Sequence, residues 1–131
     1  MKKETCVEAG VFGMCPFVTA QQLISGKWAI LILHVLADGP KRFNRIQREI
    51  DVTQATLSTH LKRLEEFGLV KRTVFPEIPP RVEYELTEIG SEFRPVLDQV
   101  EAWGNKYIDY LKAQHRDRAV EPASVAGAAS H

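Results

Sequence analysis

Apolar residues return every three or four positions through the first half of the chain, and each run ends at a recognisable stop. Pro16 pre-sets a first helical turn, and Phe17, Ala20, Leu23 and Ile24 share one face until Ser25 and Gly26 break the pattern. From Lys27, the positions Trp28, Leu31, Ile32, Val35 and Leu36 predict a second and more buried helix that stops at "ADGP", residues 37 to 40. Phe43, Ile46 and Ile50 mark a third, shorter helix. After the tight connection "DV", Thr53 is placed to cap a fourth, whose stripe of Leu57, Leu61, Leu64 and Phe67 closes at Gly68. Two helices joined by so short a turn suggest a helix-turn-helix.

Past Gly68 the period falls to two. "LVKRTVF" is rich in strand formers, and "VEYEL" alternates Val82, Tyr84 and Leu86 with Glu83 and Glu85. The prolines of "PEIPPR", residues 76 to 81, forbid helix between them and make a stiff loop. From Thr87 a long helical pattern carries Phe93, Val96, Leu97, Val100, Trp103, Tyr107, Ile108 and Leu111, with Pro95 expected to kink or split it. The predicted fold class is mainly α with a small β-hairpin, a winged helix-turn-helix with a long C-terminal dimerisation helix. Residues 1–14 read as a mobile segment, 15–113 as the domain and 114–131 as a disordered, patternless tail. No internal repeat is evident.

At 131 residues the chain fits one domain, since two separate cores would each be marginal. Composition is that of an ordinary soluble protein, 44% hydrophobic and 26% charged. The longest apolar run, "WAILILHVLA", has ten residues, short of the roughly 20 that cross a bilayer. "MKKETCVEAG" has no apolar signal core, so a cytoplasmic location with reduced cysteines is expected. The zero formal charge hides an asymmetry. Lys41 to Arg81 holds nine Lys or Arg against five Asp or Glu, a net +4 balanced by −4 elsewhere. A basic middle points to a polyanion.

The inward leucine stripe fixes what the fourth helix turns outward. At 100° per residue the opposite face carries Ala55, Ser58, Thr59 and Lys62, with Gln54 and Thr56 at its leading end. These are small or hydrogen-bonding residues suited to base edges in a major groove, which admits an α-helix. Phosphate contacts are expected from Lys41, Arg42, Arg45 and Lys62, and from Arg81 on the wing. The rival reading of each cation is a solubilising charge.

The run from Cys15 to about Gly104 resembles the HxlR-type, MarR-related winged-helix transcriptional regulators. The likeness lies in "GKW" at 26 to 28, "RF" at 42 and 43, "L..LE..GLV" at 61 to 70, "PPRVEYELT" at 79 to 87 and "AWG" at 102 to 104. It implies no enzyme but a repressor or activator, a homodimer on double-stranded DNA with a roughly palindromic operator. The helix stripe, Phe93, Val96, Leu97, Val100, Trp103, Tyr107 and Leu111, would then be the dimer interface. The resemblance also implies that a cysteine near the N-terminus, at the position of Cys15, can answer an oxidant or electrophile.

The residues themselves leave that last point open. Before Pro16, Cys15 should be the N-cap, where the helix end favours thiolate. Val11, Phe12, Met14 and Phe17 surround it with apolar material, and burial would push its pKa the other way. Cys6 is a resolving partner or an incidental thiol. A metal site is disfavoured because His34, His60, His115 and His131 are scattered without CxxC or HxxxH spacing, and no cofactor motif appears. Two alternatives from other classes are a winged helix that binds protein rather than DNA and, more remotely, a thiol-based redox enzyme.

Overall fold

The computed structural model describes residues 12–120, and with it two compact units that adjoin in sequence at Arg94 and Pro95. The first begins with helix α1, Pro16–Leu23. Cys15 is its N-cap in extended conformation, with Pro16 in the first turn, as the Cys-Pro pair predicts. Thr19 fastens this end, its Oγ accepting from Gly13 N at 2.8 Å. Helix α2, Trp28–Leu36, follows, and then a two-residue strand β1, Lys41–Arg42. That strand is too short to leave a period in the sequence.

Helix α3, Phe43–Ile50, ends on Asp51, whose left-handed φ of 54° reverses the chain sharply. Helix α4, Gln54–Glu66, starts at Thr53, whose hydroxyl accepts from Thr56 N at 3.2 Å, one of the orphan donors of a helix start. Gly68, at φ +80°, closes α4 by donating to Glu65 O. Ile32, Leu33, Leu36, Ile46, Leu57, Leu61 and Leu64 are all almost wholly buried and form the core. Each is worth roughly 1.5–3 kcal/mol against exposure.

Strands β2, Val70–Phe75, and β3, Arg81–Leu86, form the expected hairpin, with Val70 opposite Leu86 and Phe75 opposite Arg81. Strand β1 adds to the other edge of β3, Lys41 opposite Tyr84, so the sheet is antiparallel in the order β1-β3-β2. A four-residue helix α5, Glu88–Ser91, begins at Thr87, whose hydroxyl accepts from Gly90 N and donates to Gly68 O at 2.6 Å.

The second unit consists of helix α6, Arg94–Val120, from Pro95 onward. Pro95 lies in its first turn, where a missing N–H costs nothing, so the proline splits the pattern between α5 and α6 instead of kinking one helix. The helix also runs past residue 113, because Lys, Ala, Gln and Arg, all good helix formers, make up most of "KAQHRDRA" despite its lack of an apolar stripe. The rest of the expected tail, and most of the N-terminal segment with Cys6, lie outside the described residues. Among the described residues no helix is long and apolar enough to cross a membrane.

Two apolar faces are left largely uncovered within the chain. Phe17 is 79% exposed and α1 has no buried residue. Leu97 on α6 is buried and Phe93, just before that helix, is half-buried, while Val96, Val100, Trp103, Tyr107 and Leu111 of the expected interface stand exposed.

Candidate nucleic-acid interface

The side chains of α4 sort as its period demands. Leu57, Leu61 and Leu64 face the core, while Gln54, Ala55, Ser58, Thr59 and Lys62 are exposed and Thr56 is half-buried beneath its bond to Thr53. The outward face of the N-terminal half thus holds only small or hydrogen-bonding groups and ends in a cation. Arg63 turns elsewhere. It donates to Gln22 O at 3.2 Å and Ser25 Oγ at 3.0 Å and lies over Phe67, tying α4 to the end of α1.

A second group gathers on α3. Arg42, Arg45 and Arg48 line a cleft of about 490 Å³ with Pro40, Lys41, Asn44 and Glu83. The three arginines are exposed; Arg45 is paired with Glu49 at 2.7 Å one helical turn on, an exposed i,i+4 pair worth only about 0.3–0.5 kcal/mol and easily exchanged for a phosphate. Arg48 and Asn44 did not stand out as sequence candidates. The signal that finds Arg48 is its three-residue spacing from Arg45, which puts the two cations on neighbouring turns of α3, with Arg42 as the extended N-cap just before them.

Two of the expected DNA contacts are engaged within the chain. Lys41 is buried, its Nζ donating to Val35 O at 2.7 Å and lying 3.6 Å from Asp38, so it satisfies a carbonyl at the end of α2. Pairing with Tyr84 in the sheet turns this side chain inward while leaving Arg42 outward. Arg81 is held within the wing. Its Nη1 donates to Glu83 Oε2 at 2.6 Å, its Nη2 to Glu77 Oε2 at 2.8 Å, and its guanidinium lies 3.8 Å over the Phe75 ring. The hydrogen bond from Arg81 holds the Glu77 carboxyl below its ordinary pKa, and the charges of Arg81 and Arg42 add to this. The same bond raises the pKa of Arg81.

At the other end of the domain, Cys15 is wholly enclosed and its sulfur is disulfide-bonded, where a reduced thiol was expected. Beside it in sequence, Phe12 packs against Phe67, at the end of α4, with ring centres 5.9 Å apart. Among the described residues no three His, Cys, Asp or Glu side chains converge as metal ligands would.

Comparison with known proteins places this geometry. The family model described as HxlR-like helix-turn-helix matches residues 23–112. The HTH-type transcriptional regulator YdeP of Bacillus subtilis is 39% identical over 111 residues, 84% of this chain and 87% of its own. Among solved structures, the redox regulator HypR in its reduced form aligns with a TM-score of 0.71 at 37% identity, covering 76% of this chain and 99% of that one. Diamide-treated YodB from B. subtilis aligns at 0.61 with 41% identity, covering 72% and 96%.

Proposed function

The chain belongs to the HxlR-like helix-turn-helix family and is a helix-turn-helix transcriptional regulator, not an enzyme, and from that premise we propose that it acts as an oxidant-responsive homodimer on a palindromic operator. In this reading α4 enters the major groove. Gln54, Ala55, Thr56, Ser58 and Thr59 meet base edges, while Lys62, Arg42, Arg45 and Arg48 hold the phosphates. The observation that carries it is the outward face of α4, small and polar throughout its first two turns and free of acidic side chains there. Glu65 and Glu66 come only at the far end.

Uncovered apolar surface supports the homodimer. Val96, Val100, Trp103, Tyr107, Ile108, Tyr110 and Leu111 along α6, and Phe12, Met14 and Phe17 around α1, are all exposed. A helix this apolar in water calls for a partner surface. Two-fold symmetry would set the recognition helices about 34 Å apart, one turn of DNA.

Sequencing the duplexes that the full chain enriches from a random pool tests the reading. The expected motif has two inverted half-sites one turn apart. Thr59→Ala should flatten preference at one position in each half-site, about 1 kcal/mol of discrimination, and leave the others unchanged. No enrichment at all would remove DNA from the function.

The response to oxidants rests on Cys15 and on the relatives named as a redox regulator and as diamide-treated. Two thiols, Cys15 and the chain's other cysteine, Cys6, would give up two electrons and two protons to diamide, reducing its azo bond to a hydrazine, and join as a disulfide. Reduced protein should bind its operator, diamide should weaken that binding, and a thiol reductant should restore it. Cys15→Ser should bind equally with and without diamide. Sensitivity that survives this substitution would take Cys15 out of the mechanism.

A further inference from the structure

The wing distributes charge and apolar surface unevenly along its length. Near its base, Lys71 and Arg72 of β2 are exposed, facing Glu85 and Tyr84 across the pair. Further out, the one arginine is spent internally, bonded to Glu77 and Glu83 and laid over Phe75. At the tip stands Ile78, fully exposed between the braced Glu77 and two prolines. The brace fixes both ends of the loop, proline fixes φ on one side of Ile78, and a β-branched side chain has few χ1 rotamers. Ordering this tip against a partner therefore costs little entropy.

Cations at the base and an apolar tip match the cross-section of a duplex groove, with phosphates along its edges and deoxyribose carbons along its inner walls. Resting on the DNA-binding reading above, we propose that Ile78 is the DNA contact of the wing, its side chain set against the sugar walls of the minor groove beside the segment read by α4. Isoleucine is among the side chains that proteins insert into minor grooves. The arginine usually expected in that place is here the brace that aims the isoleucine. Because the tip offers no uncommitted cation among the described residues, the contact reads groove shape and gains nothing from the enhanced negative potential of narrow A-tracts.

The test uses the full chain and a duplex enriched by the wild type. Ile78→Ser should lower affinity about tenfold, which is about 1.4 kcal/mol, without changing the slope of log K against log salt, since an apolar contact releases no counterions. Ile78→Leu should retain most of the affinity. Replacing flanking adenines by 2,6-diaminopurine puts an amino group into the minor groove and leaves the major-groove edge intact. The wild type should lose affinity on that duplex and Ile78→Ser should not. Wild-type affinity in Ile78→Ser, alongside weakened binding by Arg42→Ala, would overturn the proposal while leaving DNA binding intact. Equal losses of both proteins on the diaminopurine duplex would also overturn it, and failure of the wild type to enrich any duplex would overturn both readings.

Discussion

Arg42→Ala, Arg45→Ala and Arg48→Ala combined should lower operator affinity about a hundredfold for each subunit engaged, hence about ten-thousandfold for the dimer near 0.1 M salt, at about 1 kcal/mol for each exposed, screened phosphate contact. The same protein should lose about 2.7 from the salt slope per subunit, at roughly 0.9 for each phosphate no longer neutralised. Fold and stability should stay put. All three side chains are exposed, and among the described residues the only ion pair removed is the Arg45–Glu49 pair on the surface of α3. A thermal melt and a salt titration on one preparation separate the two effects. If affinity falls while the salt slope is kept, the cleft of Arg42, Arg45 and Arg48 holds something other than the backbone. If neither moves, phosphate anchoring must be sought at Lys62, Lys71 and Arg72.

That cleft also shows where reading from sequence stopped. Local chemistry was fully legible: Thr53 as a cap, Pro16 as a helix start, Gly68 as a stop, and the stripe of Leu57, Leu61 and Leu64 that decides which face of α4 looks outward. Each depends on contacts within a few residues. The side taken by Lys41 depends instead on pairing with Tyr84, forty-three positions on, in a strand of only two residues. Nothing in "GPKRF" separates the buried lysine from the exposed arginine beside it.

Arg81 was a partial case. Glu77 lies four residues before it and Glu83 two after, and side chains two apart on a strand share a face, so the Glu83 pair could have been anticipated. The Glu77 pair needs the loop geometry. The sequence makes Arg81 a phosphate contact on the wing, with a solubilising charge as the rival reading, and the structure shows it as the brace of the hairpin. Phe17 marks a different limit. A helical apolar face says that something covers it, and whether the cover belongs to the same chain is beyond periodicity.

Gly90 was not legible at all, and it carries the largest expected loss of stability. "TEIGSEF" puts a glycine inside a helical pattern, where alanine would ordinarily gain up to about 1 kcal/mol. Gly90 is not among the residues with positive φ, so backbone conformation raises no objection to alanine. The objection is steric. An added Cβ would fall under 3.0 Å from the Leu69 carbonyl oxygen and 3.3 Å from Thr87 Oγ.

Neither neighbour is free to yield. Leu69 O accepts from Thr87 N at 3.0 Å and Leu69 N donates to Leu64 O at 2.9 Å, while Thr87 Oγ holds both Gly90 N and Gly68 O. Moving Leu69 would disturb the exit of α4 and the start of β2 together; moving Gly90 would break the cap of α5. Gly90→Ala should therefore cost about 3 kcal/mol, at the upper end of overpacking, and lower the melting temperature by roughly 10 to 20 °C. The sign decides the matter: a melting point equal to or above wild type would mean that helix propensity wins and that the junction between α4 and β2 gives way more easily than its hydrogen bonds imply.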